Sequence, residues 1–190
     1  MAELQLPLDV YTLRARLAPA FVTALPVGFT VVSAYSGNVG WWSPFWVVLT
    51  AFGGMFLIAE LGRDAGKKRE SALFADWGGK PTTQMLRRNT ARNEALQRRF
   101  RDKLLELDPS IELPSRVKEE EDPSGADEMY DAAVHVLRER TRDRTQFPLV
   151  FQALCEYGFR RNLWGLKPIG ITFSVIGLVV IGAIAFVRTS

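Results

Sequence analysis

Residues 75–88 read ADWGGKPTTQMLRR and combine residue types that can hold a phosphate group. A glycine pair lets a ligand approach the backbone closely. Two threonines follow at the predicted start of a helix, where backbone N–H groups and the helix dipole attract anions. The candidate ligand residues are Lys80, Thr82, Thr83, Arg87 and Arg88. The ligand class they would suit is a nucleotide, a nucleic acid or a lipid head group.

The same stretch departs from the nucleotide-binding P-loop. That motif needs a glycine at position 74, where this chain has Phe74. Pro81 also removes a backbone donor directly after Lys80. The alternative is a glycine turn that reverses the chain below a membrane, with its basic residues facing anionic lipid. Of the two interpretations we prefer the turn.

A second basic feature follows on the next predicted helix. Its candidate ligand residues are Arg92, Arg98 and Arg99. Such a face can neutralise nucleic-acid phosphates, lie near a membrane, or pair with the acidic run 119–122 of the same chain. Residues 63–103 hold 12 Lys/Arg against 5 Asp/Glu and residues 104–131 hold 2 against 10, a segregation that suits either an acidic segment folded against the basic helices or one paired with a neighbouring subunit. Solvated faces without a special role remain the other possibility.

Enzyme chemistry has little support in the sequence. The single histidine, His135, lies among apolar residues of a predicted helix, and the single cysteine, Cys155, is expected to be a packed thiol. No Cys/His cluster has the spacing of a zinc site. We therefore expect no catalytic residues, no metal and no cofactor.

The elements that must position these residues are dominated by three uncharged runs, Leu17–Tyr35, Phe45–Ala59 and Ile169–Val187. A helix needs about 20 apolar residues to cross a bilayer. The first and third runs reach that length, and the second does so if it extends to Gly62. A buried soluble helix would normally carry a polar stripe, which these runs lack. The sequence predicts an integral membrane protein with three spans.

Basic residues flank the predicted spans on one side, which places the N-terminus and the long central region in the cytoplasm. The predicted layout is a cytoplasmic segment 1–16, a transmembrane hairpin 17–62, a cytoplasmic helical domain 63–167, a third transmembrane helix 168–187 and a tail 188–190. The predicted location is a bacterial inner membrane. The predicted fold class is an all-α integral membrane protein.

Within the central region, Thr83–Leu107 is predicted to be one helix, capped by Thr82 or Thr83, with Leu96, Phe100 and Leu104 on its apolar face. Asp108-Pro109 is expected to end this helix.

Residues 108–125 are predicted to form a surface loop. Ser124 and Asp127 resemble a capping box that would open the next helix. A further helix is expected from Phe147-Pro148 into the third span.

Two further groups of residues are candidates for moving parts. Pro26 should kink or loosen the first span, and Glu60 is an ionisable residue near a span interior, where such residues often mark ion paths. A carboxylate paired with a nearby arginine is the alternative for Glu60, and we prefer it. The candidate coupling residues at the inner mouth of the third span are Arg160, Arg161, Trp164 and Pro168. Anchoring of lipid head groups is the simpler role for this junction, and it is the one we prefer.

The phrases WGGKPTTQMLRR and YGFRRNLWGLKPIG, together with the layout of the chain, resemble small transmembrane effectors of bacterial antiphage systems. The resemblance implies a membrane pore or depolarising protein that responds to a nucleotide or nucleic-acid signal.

Our leading hypothesis is an oligomeric inner-membrane channel or membrane-disrupting effector, gated through its basic cytoplasmic domain by a phosphate-rich ligand or partner. The first span, with Ala20, Ala24 and Gly28 four residues apart, is the expected pore lining. The expected partners are the lipid bilayer, further copies of the chain, a soluble protein and a nucleotide or nucleic acid. The alternative is a non-conducting anchor or scaffold subunit that recruits a soluble partner.

Overall fold

The computed structural model describes the backbone of residues 9–35, 43–88 and 93–189, and the side chains of 9–34, 53–88 and 93–189. These residues are mostly helical and contain no strand. A π-helical segment, Thr12–Leu17, leads directly into the first α-helix. The α-helices are α1 Ala18–Tyr35, α2 Ser43–Asp76, α3 Pro81–Leu86, α4 Glu94–Leu107, α5 Arg116–Glu121, α6 Pro123–Arg140 and α7 Pro148–Thr189.

The chain divides into two compact units. One, the long-helix unit, combines Met1–Glu70 with Gln152–Ser190, and the other, the short-helix unit, is Ser71–Phe151. Two helical stretches of the described residues, Thr12–Ala34 and Pro148–Thr189, are long and apolar enough to cross a membrane. Only 17% and 6% of their most apolar windows are buried, unlike the core helices of a soluble protein. The all-helical class is thus confirmed, and two of the three predicted spans coincide with helices that are able to cross a membrane. The second predicted span, Phe45–Ala59, begins in the part of α2 whose side chains are not described.

In the long-helix unit, small residues set how the helices pack. Thr23 of α1 lies against Gly170 of α7, and Thr30 lies against Gly177. Because both contacts advance along the two helices together, α1 and α7 run parallel. The core between the helices contains Ala20, Ala59 and Leu166, with Leu17, Met55, Ile58 and Ile169 packed around them.

The short-helix unit has its own core, made by α3, α4, α6 and the α4–α5 connection. Its buried members are Leu86, Leu104, Ile111, Tyr130, Ala133 and Val134. The apolar residues of α6 recur every three or four positions, which places them on one face of the helix. This unit therefore folds around a single small core.

The predicted helix Thr83–Leu107 is wrong as one element. It is divided into α3 and α4, and Asn93 caps α4 by accepting a hydrogen bond from the backbone N–H of Leu96 at 3.2 Å. The predicted threonine cap is also wrong, since Lys80 is the N-cap of α3. The end of α4 at Asp108 is confirmed.

The predicted surface loop 108–125 is corrected because it contains α5, which Ser115 caps. Asp122, rather than Ser124, caps α6, and its carboxylate accepts from the Gly125 N–H at 2.9 Å. Pro123 then occupies the first turn, where a missing N–H costs nothing. The predicted start of α7 at Pro148 is confirmed.

Candidate functional site

The glycine pair of residues 75–88 forms a turn, which is the interpretation that we prefer from the sequence. Gly78 and Gly79 have φ angles of 74° and 129°, a backbone conformation that favours glycine. The Gly79 N–H donates to the Phe74 carbonyl at 2.8 Å, which closes the end of α2. The Gln84 side chain donates to the carbonyls of Trp77 and Gly79 at 2.6 and 2.9 Å, and these two hydrogen bonds stabilise the turn. The turn therefore directs the chain into α3.

Two aspartates of α6 pair with the candidate phosphate ligands of this stretch. Lys80 forms an ion pair with Asp131, and the Thr83 hydroxyl donates to the same carboxylate at 2.7 Å. One turn earlier, Asp127 accepts from Arg87, with Nε at 2.8 Å. Residues four apart share a helix face, so α6 presents both carboxylates to α3. The pairing of basic and acidic segments of one chain is therefore realised here.

A buried carboxylate completes this polar cluster. Glu119 of α5 is 3% exposed, and its two oxygens accept from the backbone N–H of Arg88 at 3.0 and 2.9 Å. The Tyr130 hydroxyl donates to the same carboxylate at 2.7 Å. The Arg88 side chain donates to the Pro114 carbonyl at 3.1 Å. The free N–H that follows α3 thus binds an anion from within the chain.

The charge states follow from these contacts. The hydrogen bond with Asp127 is the largest influence on the guanidinium of Arg87 and raises its pKa. Burial and the hydrogen bond to Glu119 raise the pKa of Tyr130, so the phenol stays protonated and remains a donor. Burial lowers the pKa of Arg101, whose guanidinium donates to the Leu86 carbonyl at 3.0 Å. The cluster as a whole holds α3 against α5 and α6.

The other predicted anion ligands do not join this cluster. Thr82, Arg98 and Arg99 are exposed, and Arg92 lies outside the described residues. A ligand role for the whole set stays a prediction. Within the described residues, the cations nearest the glycine turn are engaged by carboxylates or carbonyls of the chain itself.

Helix α4 turns a different face to the core than we predict. Gln97, Arg101 and Leu104 are buried, whereas Leu96 and Phe100 are 46% and 39% exposed. Arg101 is buried on this face, where its guanidinium donates to the carbonyl of Leu86, the last residue of α3. At about 100° per residue, Leu96, Phe100 and Leu107 fall within a narrow arc of α4. We call these three residues the α4 face.

At the predicted inner end of the spans, Glu60 is an ion-paired carboxylate. Its oxygens lie 3.0 Å from Arg63 Nη1 and 3.7 Å from Arg16 Nη1. Glu60 thus connects α2 to the π-helical segment that precedes α1, which contains Arg16. The ion pair with a nearby arginine that we prefer for Glu60 is therefore present. Pro26, the other candidate in this group, lies inside α1 without interrupting the helix.

Two glycines of α2 that our predictions missed, Gly62 and Gly66, lie against Gly165 of α7. A Cβ at Gly165 would lie 2.6 Å from the backbone N of Gly66 and 2.7 Å from the carbonyl oxygen of Gly62. Gly62 and Gly66 are four residues apart, the spacing that permits close helix packing in membranes. That spacing, in GRDAG, is visible in the sequence and could have identified them.

The candidate coupling residues lie on one uninterrupted helix, α7, which continues through Pro168. Arg161 forms an ion pair with Glu70 at 3.3 Å, and both side chains are mostly buried. The Trp164 carbonyl accepts from Arg69 at 2.6 Å, and the arginine lies over its indole ring. Arg160 is 81% exposed and its nearest carboxylate, Glu156, is 4.0 Å away. Arg161 therefore joins α7 to α2, whereas Arg160 faces outward.

Asn162 is a further residue that our predictions missed. It is 1% exposed, and its Nδ2 donates to the Ala15 carbonyl at 2.7 Å. Ala15 lies in the π-helical segment, where the regular α-helical hydrogen-bond pattern is interrupted. A single asparagine in an otherwise basic and aromatic stretch gives no periodic signal, so only the structure identifies it.

The described geometry defines an all-helical protein with two helices able to span a membrane and a separate unit held by internal ion pairs. The chain matches no family model, no curated protein and no solved structure.

Proposed function

We propose that the chain is a membrane-anchored adaptor that presents the α4 face of its short-helix unit to a soluble partner. The exposed α4 face is the observation that carries this proposal. Leu96, Phe100 and Leu107 are 46%, 39% and 42% exposed. Apolar residues grouped in this way and bordered by charge are typical of interaction surfaces.

Three spans would hold this adaptor in a bacterial inner membrane, with the N-terminus and the short-helix unit in the cytoplasm. Gly62 of α2 lies against Leu166, and Gly66 lies against Arg161, so α2 runs antiparallel to α7. Parallel α1 and α7 with an antiparallel α2 is the alternation that three consecutive spans require. Basic residues gathered at the Glu60 end of these helices support a cytoplasmic position for that end.

The partner suited to this face is an amphipathic helix with acidic residues. Arg99 and Lys103 border the α4 face, and Lys103 also pairs with Glu106 at 2.6 Å. Helix-in-groove recognition uses apolar anchors three or four residues apart, which matches the spacing of Leu96 and Phe100. The flanking cations would favour a partner of opposite charge.

Site-specific photo-crosslinking in cells tests this proposal. A crosslinker at position 100 should give one adduct of defined mass, and a crosslinker at Asp102, on the far side of α4, should not. Leu96→Asp should abolish the adduct. Leu105→Asp, which adds the same charge to an exposed leucine on another face, is the matched control. Equal adducts at 100 and 102, or none at either, would overturn the adaptor proposal.

A gated oligomeric channel is the second candidate, because parts of the long helices have room for a neighbouring copy. A Cβ added at Gly28 or Gly182 would meet no atom of the described residues within 4 Å. Small residues that face outward allow close helix association in lipid. A phosphate-rich signal would then act on the short-helix unit, as the resemblance to antiphage effectors implies.

The span hydroxyls favour the adaptor over the channel. Thr23 and Thr30 of α1 face α7, and they donate to the carbonyls of Pro19 and Pro26 at 2.9 and 2.8 Å. The outward residues of α1 are instead apolar, among them Phe29 and Val32 at 66% and 68% exposed. A pore lined by α1 would therefore lack polar groups for ions.

Planar-bilayer recording of the purified protein separates the two candidates. The adaptor proposal predicts no discrete conductance at any protein density, with or without nucleotides and short DNA. Discrete steps that change in Glu60→Gln would favour the channel, with Glu60 near the ion path. An arginine-neutralising control, Arg188→Gln at the other end of α7, should leave such steps unchanged.

A further inference from the structure

A groove of about 670 Å³ lies between α1 and α7 within the long-helix unit. Its walls are Val22 and Pro26 of α1 and Ile171, Val175 and Leu178 of α7. Two hydroxyl groups also line it, but each already donates to a carbonyl of its own helix. The wall is therefore apolar along most of its length.

Positive charge is confined to one end of the groove. Arg160 and Lys167 both line it, and both are exposed. Arg160 has only a 4.0 Å contact with Glu156, and no carboxylate of the described residues pairs with Lys167. Trp164 lies between them and is 42% exposed. Tryptophan and basic side chains at one level of a helix are typical of the membrane–water interface.

The length of the apolar part matches one leaflet of a bilayer. Lys167 and Leu178 are separated by about 16 Å along α7, at about 1.5 Å per residue. The hydrocarbon core of a bilayer is about 30 Å thick, so a single leaflet contributes about 15 Å. The groove thus places charge at head-group depth and apolar side chains from there to the bilayer centre.

We propose that this groove binds one anionic phospholipid. Its phosphate lies between Arg160 and Lys167, and one acyl chain lies along Ile171, Val175 and Leu178. This inference rests on the proposed membrane insertion of α1 and α7, but it does not depend on the partner of α4. A phosphate in solution would use only the charged end, and a neutral lipid would use only the wall.

Native mass spectrometry of the full chain tests the proposal. The probes are dioleoyl phosphatidylglycerol and dioleoyl phosphatidylcholine, added to the detergent-solubilised protein. We expect one phosphatidylglycerol to be retained at lipid concentrations where phosphatidylcholine is not. Each basic residue near an anionic head group is worth about fivefold in affinity, so Arg160→Gln with Lys167→Gln should weaken retention about 30-fold. Arg138→Gln with Arg142→Gln removes the same charge at two exposed residues elsewhere and should leave retention unchanged.

A second pair of variants tests the apolar wall. Val175→Phe adds volume at a residue that lines the groove and should reduce retention of phosphatidylglycerol by at least tenfold. Val179→Phe makes the same change at a residue that is 67% exposed and does not line the groove, so retention should be normal. Both variants keep α7 apolar, and neither changes the charged end.

The outcomes separate the lipid site from the membrane proposal. Equal retention of both lipids, or binding of inorganic phosphate that matches phosphatidylglycerol, would overturn the lipid site. So would equal effects of Val175→Phe and Val179→Phe. A protein that leaves the membrane fraction without detergent would instead overturn the three-span anchor, whatever lipid it retained.

Discussion

Replacement of Gly165 by alanine should separate α2 from α7. The new Cβ would lie 2.6 Å from the Gly66 backbone nitrogen, whereas contact with a Cβ becomes ordinary at 3.4 Å. The helices would have to move apart by about 0.8 Å, since neither Gly66 nor Gly62 has a side chain that can yield. Overpacking of this kind costs about 1–3 kcal/mol.

The matched variant Gly170→Ala isolates this cost. Its Cβ would meet Thr23 Cγ2 at 3.5 Å, an ordinary contact. Both variants gain the same helix propensity, about 1 kcal/mol per Gly-to-Ala change. The difference in unfolding free energy between the two is therefore the overpacking alone, with Gly165→Ala the less stable by about 1–3 kcal/mol.

Reversible unfolding by sodium dodecyl sulfate in mixed micelles, followed by far-ultraviolet circular dichroism and tryptophan fluorescence, measures this difference. Gly182→Ala, whose Cβ would meet no described atom, should resemble Gly170→Ala. Equal unfolding free energies for Gly165→Ala and Gly170→Ala would refute the close approach of α2 and α7.

Three further predictions concern polar groups that are buried or partly buried. Tyr130→Phe removes the hydroxyl that donates to Glu119 and should lower the unfolding free energy by about 1–3 kcal/mol in urea titrations. Asn162→Leu removes the side-chain amide that donates to the Ala15 carbonyl, and it should lower the unfolding free energy in the micelle assay by a similar amount. An unchanged unfolding free energy would contradict the role of that hydrogen bond. Partial burial raises the pKa of Asp131, but hydrogen bonds from its lysine and threonine partners outweigh it and hold the pKa below 3.8. The stabilisation from ionised Asp131 is therefore present at neutral pH and lost below about pH 4, so the stability difference from Asp131→Asn should shrink in acid. A difference that stays constant from pH 7 to 3 would contradict this.

The sequence was sufficient to predict the structural features that depend on local composition and on the periodicity of apolar residues. The uncharged runs predict long apolar helices, and Pro148 in a first turn predicts the start of α7, because both signals are local. The division between α3 and α4 could not be predicted in this way. At the end of α3 the Leu86 carbonyl accepts from Arg101, fifteen residues away, and no local pattern indicates that contact.

The candidate site shows the same limit. Lys80 and Arg87 have the residue types and spacing of an anion site, and only the fold reveals that Asp131 and Asp127 occupy them. Charge segregation along the chain indicated that pairing as one possibility. It could not indicate which carboxylate would meet which cation, because that choice is made by the packing of α6 on α3.

The ion pairs of Lys80 and Arg87, which flank α3, also determine when the short-helix unit can assemble during synthesis. Asp127 follows Arg87 by 40 residues, and Asp131 follows Lys80 by 51. At translation rates of about 5–20 residues per second, Lys80 waits roughly 3–10 s for its carboxylate. During that time α1 and α2 have already been synthesised. Lys80 and Arg87, which follow α2, do not yet have their carboxylate partners and are accessible to other anions. The short-helix unit can therefore close only after α6, which precedes the last apolar helix α7 in the chain, has been synthesised.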